Sequence, residues 1–126
     1  MRVFIAHSMT LKAEAEAERA KLEAAGYEAV MPYEVHPNGD FELLIHRTNA
    51  DRIRKAGVVF AIWDGVSDGC YGDVCMAIAL GKPVYVRVLA SPGLLSHRKQ
   101  YPNDALMKRA WALFSELPKI EEWWAS

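Results

Sequence analysis

Apolar and polar positions along this chain fall into two periods that take turns. Val3-Phe4-Ile5-Ala6 is a short unbroken apolar run, the pattern of a strand covered on both faces. Leu11 to Ala25 is rich in Ala, Glu, Lys and Leu and is followed by Gly26, which predicts a helix with a glycine stop. Tyr27 to Met31 reads as a second strand ended by Pro32. Phe41 to Lys55 reads as a second amphipathic helix with Leu44, Ile45, Ile53 and Ala56 facing inward. Val58-Val59-Phe60-Ala61-Ile62-Trp63 carries the strongest strand signal, and Asp64-Gly65 turns it.

A polar loop over 66–71 then leads to a helix predicted from Gly72 to Leu80, stopped by Gly81-Lys82-Pro83. Pro83 to Val88 is a fourth strand. After a loop rich in Pro, Gly and Ser, Ala105 to Trp111 reads as a helix and Ala112-Leu113-Phe114 as a short fifth strand. Leu117 to Trp124 closes the chain as a helix. Strands alternating with helices imply an α/β fold: a doubly wound, flavodoxin- or Rossmann-like, five-stranded parallel sheet with helices on both faces. At 126 residues the chain, 1–126, is expected to be one domain.

Composition narrows the chemistry without specifying it. A net charge of −1 gives no footprint for a nucleic-acid polymer or an anionic membrane, and no apolar run reaches the length of a membrane span. The start, MRVFIAHSMT, has too short an apolar stretch for a signal peptide. Cys70 and Cys75 lie five apart with no ligand spacing around them, as in a reduced cytoplasmic protein that binds no metal.

In an open parallel sheet, ligands sit beyond the carboxyl ends of the strands where the strand order reverses. With a flavodoxin-like order, the residues leaving the strands there are His7-Ser8-Met9 and Trp63-Asp64-Gly65. Asp68, Gly69 and Asp73 join them from the next helix. Each also has an ordinary structural reading. Asp before Gly is common in turns, Asp68 and Ser8 suit helix caps, and acids favour a helix's first turn. Trp63 suits the core, and His7 a solvated loop. Trp123-Trp124 reads as a docking or subunit contact rather than a base platform.

These residues, in this order, resemble the nucleoside 2-deoxyribosyltransferase family and its nucleoside 5′-monophosphate glycosidase relatives. Phe4-Ile5-Ala6-His7-Ser8 resembles the family's opening strand and its small-residue step, and Pro32-Tyr33-Glu34-Val35-His36 the segment that touches the base. Asp64-Gly65 resembles its Asp-Gly turn, and Gly69 to Pro83, ending Ala77-Ile78-Ala79-Leu80-Gly81-Lys82-Pro83, its nucleophile-bearing helix. Asn103 with Leu106-Met107 resembles its Asn-Leu-Met. The family's nucleophilic Glu falls on Asp73, one methylene shorter.

The resemblance implies cleavage of a nucleoside or nucleotide N-glycosidic bond, with transfer of the sugar to a second base or to water and no cofactor or metal. Such chemistry needs negative charge beneath C1′ and a proton for the departing base. Asp73 is then the candidate nucleophile, held ionised by a helix N-terminus. Asp64 is the candidate for proton transfer to the base or for binding it, its pKa raised by burial against Trp63. Asn103 is lent across a homodimer interface to orient the nucleophile. Ser8, His7, His36, Trp63, Asp68 and Gly69 contact the substrate. Alternatives are a monophosphate hydrolase whose phosphate pocket uses Ser8, His7, Arg87 or Arg98, a TIR-like NAD hydrolase, and a non-catalytic nucleotide-binding module.

Overall fold

The computed structural model describes residues 1–34, 39, 41–90 and 104–126. Val58–Trp63 forms β3, and all six of its residues are buried, as an unbroken apolar run requires. It lies between β1 (Arg2–His7) and β4 (Val84–Val88), and the three-residue β2 (Glu28–Val30) flanks β1. The sheet is wholly parallel in the order β2-β1-β3-β4. The order reverses between β1 and β3, as the sequence implies.

Side-chain alternation divides the core in two. Phe4, Ala6, Val59, Ala61, Trp63, Val84 and Val86 form one face. They pack against residues of α2 (Glu42–Arg54), α3 (Asp68–Ala79) and α4 (Asp104–Glu116). Val3, Ile5, Ala29, Val58, Phe60 and Ile62 form the other, covered by α1 (Lys12–Ala24) and α5 (Ile120–Ala125). Among the described residues, no helix is long and apolar enough to cross a membrane.

Three sequence expectations need correction. Among the described residues the sheet has four strands, not five: Ala112-Leu113-Phe114 lies within α4. Met107, Ala110 and Phe114 are its buried residues, and steps of three and four are helical spacing. The fifth position is occupied only by an isolated bridge, where the Val86 amide donates to the Pro118 carbonyl at 2.8 Å. Proline has no amide to extend that ladder, and α5 begins at Ile120. In α2, Ile53 and Ala56 are buried but Leu44 is 46% exposed. Finally, α3 starts at Asp68 rather than Gly72, because the Ser67 hydroxyl caps it by accepting from the Cys70 amide.

β2 pairs only with Arg2–Phe4, whereas β1 runs on to His7 along β3. Pro32 follows two residues after β2 ends and cannot donate to a ladder. The short β2 therefore leaves a notch beside the upper half of β1.

On the opposite side of the sheet from α3, an ion-pair network anchors the closing helix. Glu18 of α1, 4% exposed, accepts from Arg87 Nη1 of β4 at 2.7 Å and from Trp124 Nε1 at 2.9 Å. Arg87 Nε also donates to Glu121 at 2.7 Å. Trp123 packs edge-on to Phe60 and Tyr27, with ring centroids 5.1 Å apart in each case. The tryptophan pair thus docks within its own chain. Arg87→Met should orphan the Glu18 carboxylate and cost about 3 kcal/mol, the low end for breaking a buried pair, since Arg87 is 24% exposed. Urea unfolding measures this, and a loss under about 0.5 kcal/mol would show that the network contributes no more than a surface pair.

Candidate active site

The carboxyl ends of β1 and β3 are fastened to each other. The Ser8 amide donates to the Ile62 carbonyl at 3.0 Å, and the Ser8 hydroxyl accepts from the Asp64 amide at 2.9 Å. Asp64 then organises the turn after β3. Its Oδ1 accepts from the Val66 and Ser67 amides at 2.9 and 2.8 Å, and its Oδ2 from the Thr10 hydroxyl at 2.7 Å. Two indoles tie the same turn from beneath. Trp63 Nε1 donates to the Ser67 carbonyl at 2.8 Å, and Trp111 Nε1 to the Gly65 carbonyl at 3.1 Å. Gly65 has φ +91°, and a Cβ there would lie 2.8 Å from Trp111 Cζ2. Both the backbone and the space require glycine.

This geometry inverts the expected electrostatics. Burial pushes the Asp64 carboxyl up, but the Val66, Thr10, Ser67 and Ser8 hydrogen bonds outweigh it and leave its pKa below the usual value. A carboxylate accepting several such bonds stays ionised, so Asp64 is no proton donor at neutral pH. Asp73 behaves oppositely. It is 8% exposed, has no hydrogen-bond partner among the described residues, and burial raises its pKa to about 6. Only the His46 charge, from α2, opposes this. Because α3 begins at Asp68, Asp73 lies in its second turn, beyond the reach of the helix terminus that was expected to hold it ionised. The two carboxylates share a neighbourhood: burial first, then the charges of Asp73 and Asp64, push the Cys70 thiol well up.

The remaining sequence candidates separate. Asp68 and Gly69 are exposed in the first turn of α3. Ser8 is buried with its hydroxyl engaged by Asp64. Trp63 is fully buried, stacked on Phe114 at 4.4 Å, so it supports the turn from below rather than meeting a ligand. Arg87 belongs to the ion-pair network and is no phosphate ligand. His36, Asn103 and Arg98 lie outside the described residues. Among the described residues, no group of three or more His, Cys, Asp or Glu side chains is placed to hold a metal ion.

His7 stands on the lip of a cleft of about 570 Å³ that fills the notch beside β1. Its Nδ1 contacts the Ser8 carbonyl at 2.9 Å. A carbonyl only accepts, so Nδ1 carries the proton and Nε2 of the neutral ring is an acceptor. The cleft continues along α1 to Arg19 and along the exit of β2 to Tyr33 and Arg52. Thr10, Trp111 and Arg52 carry no site reading in the sequence, and Cys70 reads there only as a reduced thiol. Thr10 alone left a trace there, as a hydroxyl two residues after Ser8 at a strand exit.

No protein-family model matches the chain, and no curated protein matches it. Solved structures share its fold, among them the following two. One is a 2-desoxiribosyltransferase from Leishmania mexicana, with TM-score 0.57 and 18% identity, matched over 69% of this chain; the chain spans 63% of that enzyme. The other is a CMP N-glycosidase from Clostridium botulinum, with TM-score 0.55 and 20% identity over 79% of this chain and 81% of that one. The chain therefore has the fold of these N-glycosidic-bond enzymes, in agreement with the resemblance seen in its sequence.

The two carboxylates should leave opposite marks on stability. Asp73's folded pKa, about 6, lies above its usual 3.8. Its ionisation penalty is absent below pH 3.8, grows between there and pH 6, and is complete above. Asp73→Asn should thus stabilise the protein at pH 8 by up to roughly 3 kcal/mol and give no gain at pH 3.5. Asp64's folded pKa is depressed, so its contribution is full above the usual value and is lost as pH falls through the folded one. Asp64→Ala should cost about 2–4 kcal/mol at pH 7 by orphaning buried donors. Thermal melts across pH read both, and equal behaviour of the two variants would overturn the assignment.

Proposed function

We propose that this protein cleaves the N-glycosidic bond of a nucleoside or nucleotide, with Asp73 as the carboxylate that meets C1′. The observation that carries this reading is the environment of Asp73: nearly buried, ionisable near pH 6 and without a hydrogen-bonding partner. A structural acid is normally paired when buried. One left unpaired and largely desolvated near a second carboxylate fits a group kept for reaction. The fold shared with a deoxyribosyltransferase and a CMP N-glycosidase supports the bond class.

Above pH 6 the Asp73 oxygen is charged and poorly solvated, so positive charge growing on C1′ is attracted strongly. The C1′–N bond breaks with its electron pair leaving on the base, and a C1′–O bond to Asp73 forms. A proton must reach the departing base. Asp64 is held ionised by its donors, which leaves His7, lining the cleft, as the candidate to relay it, taking a proton from water on Nε2 and passing it to the base. Water or a second base then attacks C1′ and frees Asp73. The role of Asp64 becomes positioning: it fixes the turn that delivers α3 and Asp73. By the same resemblance, the active form is a homodimer in which Asn103 of one chain completes the other's site.

The test follows base release from a panel of nucleosides and 5′-monophosphates, with and without a free acceptor base. Asp73→Asn should lower turnover at least ~100-fold while melting no lower than wild type at pH 8. Below pH 6, wild-type kcat should fall about tenfold per pH unit as Asp73 protonates. Undiminished release by Asp73→Asn would falsify the assignment of the nucleophile. Release of no base from any N-glycosidic substrate, NAD included, would sink the enzyme reading.

A further inference from the structure

The notch beside β1 is lined by apolar and planar groups at its walls and by charge at its far end. Met9, Met31, Pro32 and Tyr33 supply the walls. Of the lining cations, Lys12 is paired with Glu34 at 2.7 Å, and Arg19 with Glu23 at 3.1 Å. Arg52 differs. Its Nη1 donates to the Met31 carbonyl at 2.9 Å and its guanidinium lies 5.9 Å from the Tyr33 ring centroid, but no carboxylate among the described residues pairs with it. A guanidinium has five N–H donors in a planar fork. One backbone bond leaves most of that fork unused inside a cleft.

The segment carrying these groups is firmly held. Asn49 of α2, 5% exposed, accepts from the Tyr33 amide at 2.7 Å. With Arg52 on Met31, α2 grips both ends of the short stretch 31–33. The fork is therefore presented by a rigid element at a fixed place, which specificity requires. His7, which lines the cleft, is followed by Ser8, whose hydroxyl accepts from the Asp64 amide.

We infer that the notch receives the departing base and that Arg52 determines which base is accepted, by donating to two adjacent acceptors on the ring edge. A carbonyl oxygen beside an unprotonated ring nitrogen, as in 6-oxopurines, meets the fork twice. A 6-aminopurine keeps the ring-nitrogen acceptor but turns an amino donor toward the fork, so one of the two bonds is lost. The apolar walls suit the faces of a ring and suit a phosphate poorly, since an anion would be desolvated against Met9, Met31 and Pro32. This rests on the N-glycosidic reading only in naming the ligand as a leaving base. Binding of free base is measured without turnover, so the two readings fail separately.

The experiment is calorimetric titration of the wild-type protein with hypoxanthine, adenine and inorganic phosphate, repeated with Arg52→Met and Arg52→Lys. Hypoxanthine should bind the wild type roughly 10–100-fold more tightly than adenine. Arg52→Met should erase that preference, and Arg52→Lys should restore part of it. The wild-type preference tests the inference even if Arg52→Met loosens the 31–33 segment. Equal binding of the two purines, an unchanged preference in Arg52→Met, or displacement of hypoxanthine by phosphate at equal concentration would each overturn it.

Discussion

The structure depends on one short hydrogen bond, from the Asp64 amide to the Ser8 hydroxyl at 2.9 Å. It closes the gap between the two strands that diverge at the reversal of the sheet order. Without it the exits of β1 and β3 would be joined beyond the strand pairing only by the Ser8 amide on the Ile62 carbonyl and the Thr10 hydroxyl on Asp64. With it, His7, Thr10, Asp64 and the start of α3 occupy one rigid frame. The frame matters because catalysis tolerates little slack: displacement by about 1 Å can cost ~100-fold in rate.

Two aspartates nine residues apart in sequence have opposite physical fates within this frame. Asp64 faces inward onto amide and hydroxyl donors that satisfy its charge. Asp73 is nearly buried and has no hydrogen-bond partner among the described residues. The difference comes from neighbours rather than from the carboxyl group. The desolvated acid costs stability at neutral pH, and this is what a reacting group in a dry site is expected to do. The satisfied acid returns stability at the same pH. A small fold can keep one because it has the other.

Much of this was legible in the alternation of apolar and polar residues. Val58–Trp63 could be nothing but a buried strand, and the reversal between β1 and β3 followed from the order of elements. The Asp-Gly turn needed only the left-handed glycine. Other features had no signal at that level. The fifth strand failed because Ala112-Leu113-Phe114 is equally apolar as a strand and as part of a helix face, and Met107 and Ala110 decided between them. Ser67 caps α3 four residues ahead of the predicted start, and this places Asp73 a full turn farther from the terminus. The protonation roles of the two aspartates were misjudged for the same reason, since hydrogen bonds from Thr10 and the 66–67 amides arise only on folding. The notch came from the brevity of β2, and Arg52 reaches it from a helix that pattern alone would leave at the surface.

The pair of indoles beneath the turn carries an implication for which sequences this fold can drift through. Trp63 and Trp111 lie 4.9 Å apart, and each donates its ring N–H to a carbonyl of the same turn. Phenylalanine would restore much of their volume but neither donor, and tyrosine would put its hydroxyl past the end of the ring. Each position is thus fixed by an atom rather than by a size. Core positions elsewhere in the sheet can exchange one aliphatic for another. These two cannot, and Gly65, pressed against Trp111, cannot change while they remain. Variation among proteins built this way should accordingly be free in the aliphatic layers and frozen in this aromatic triangle, or else replaced there all at once.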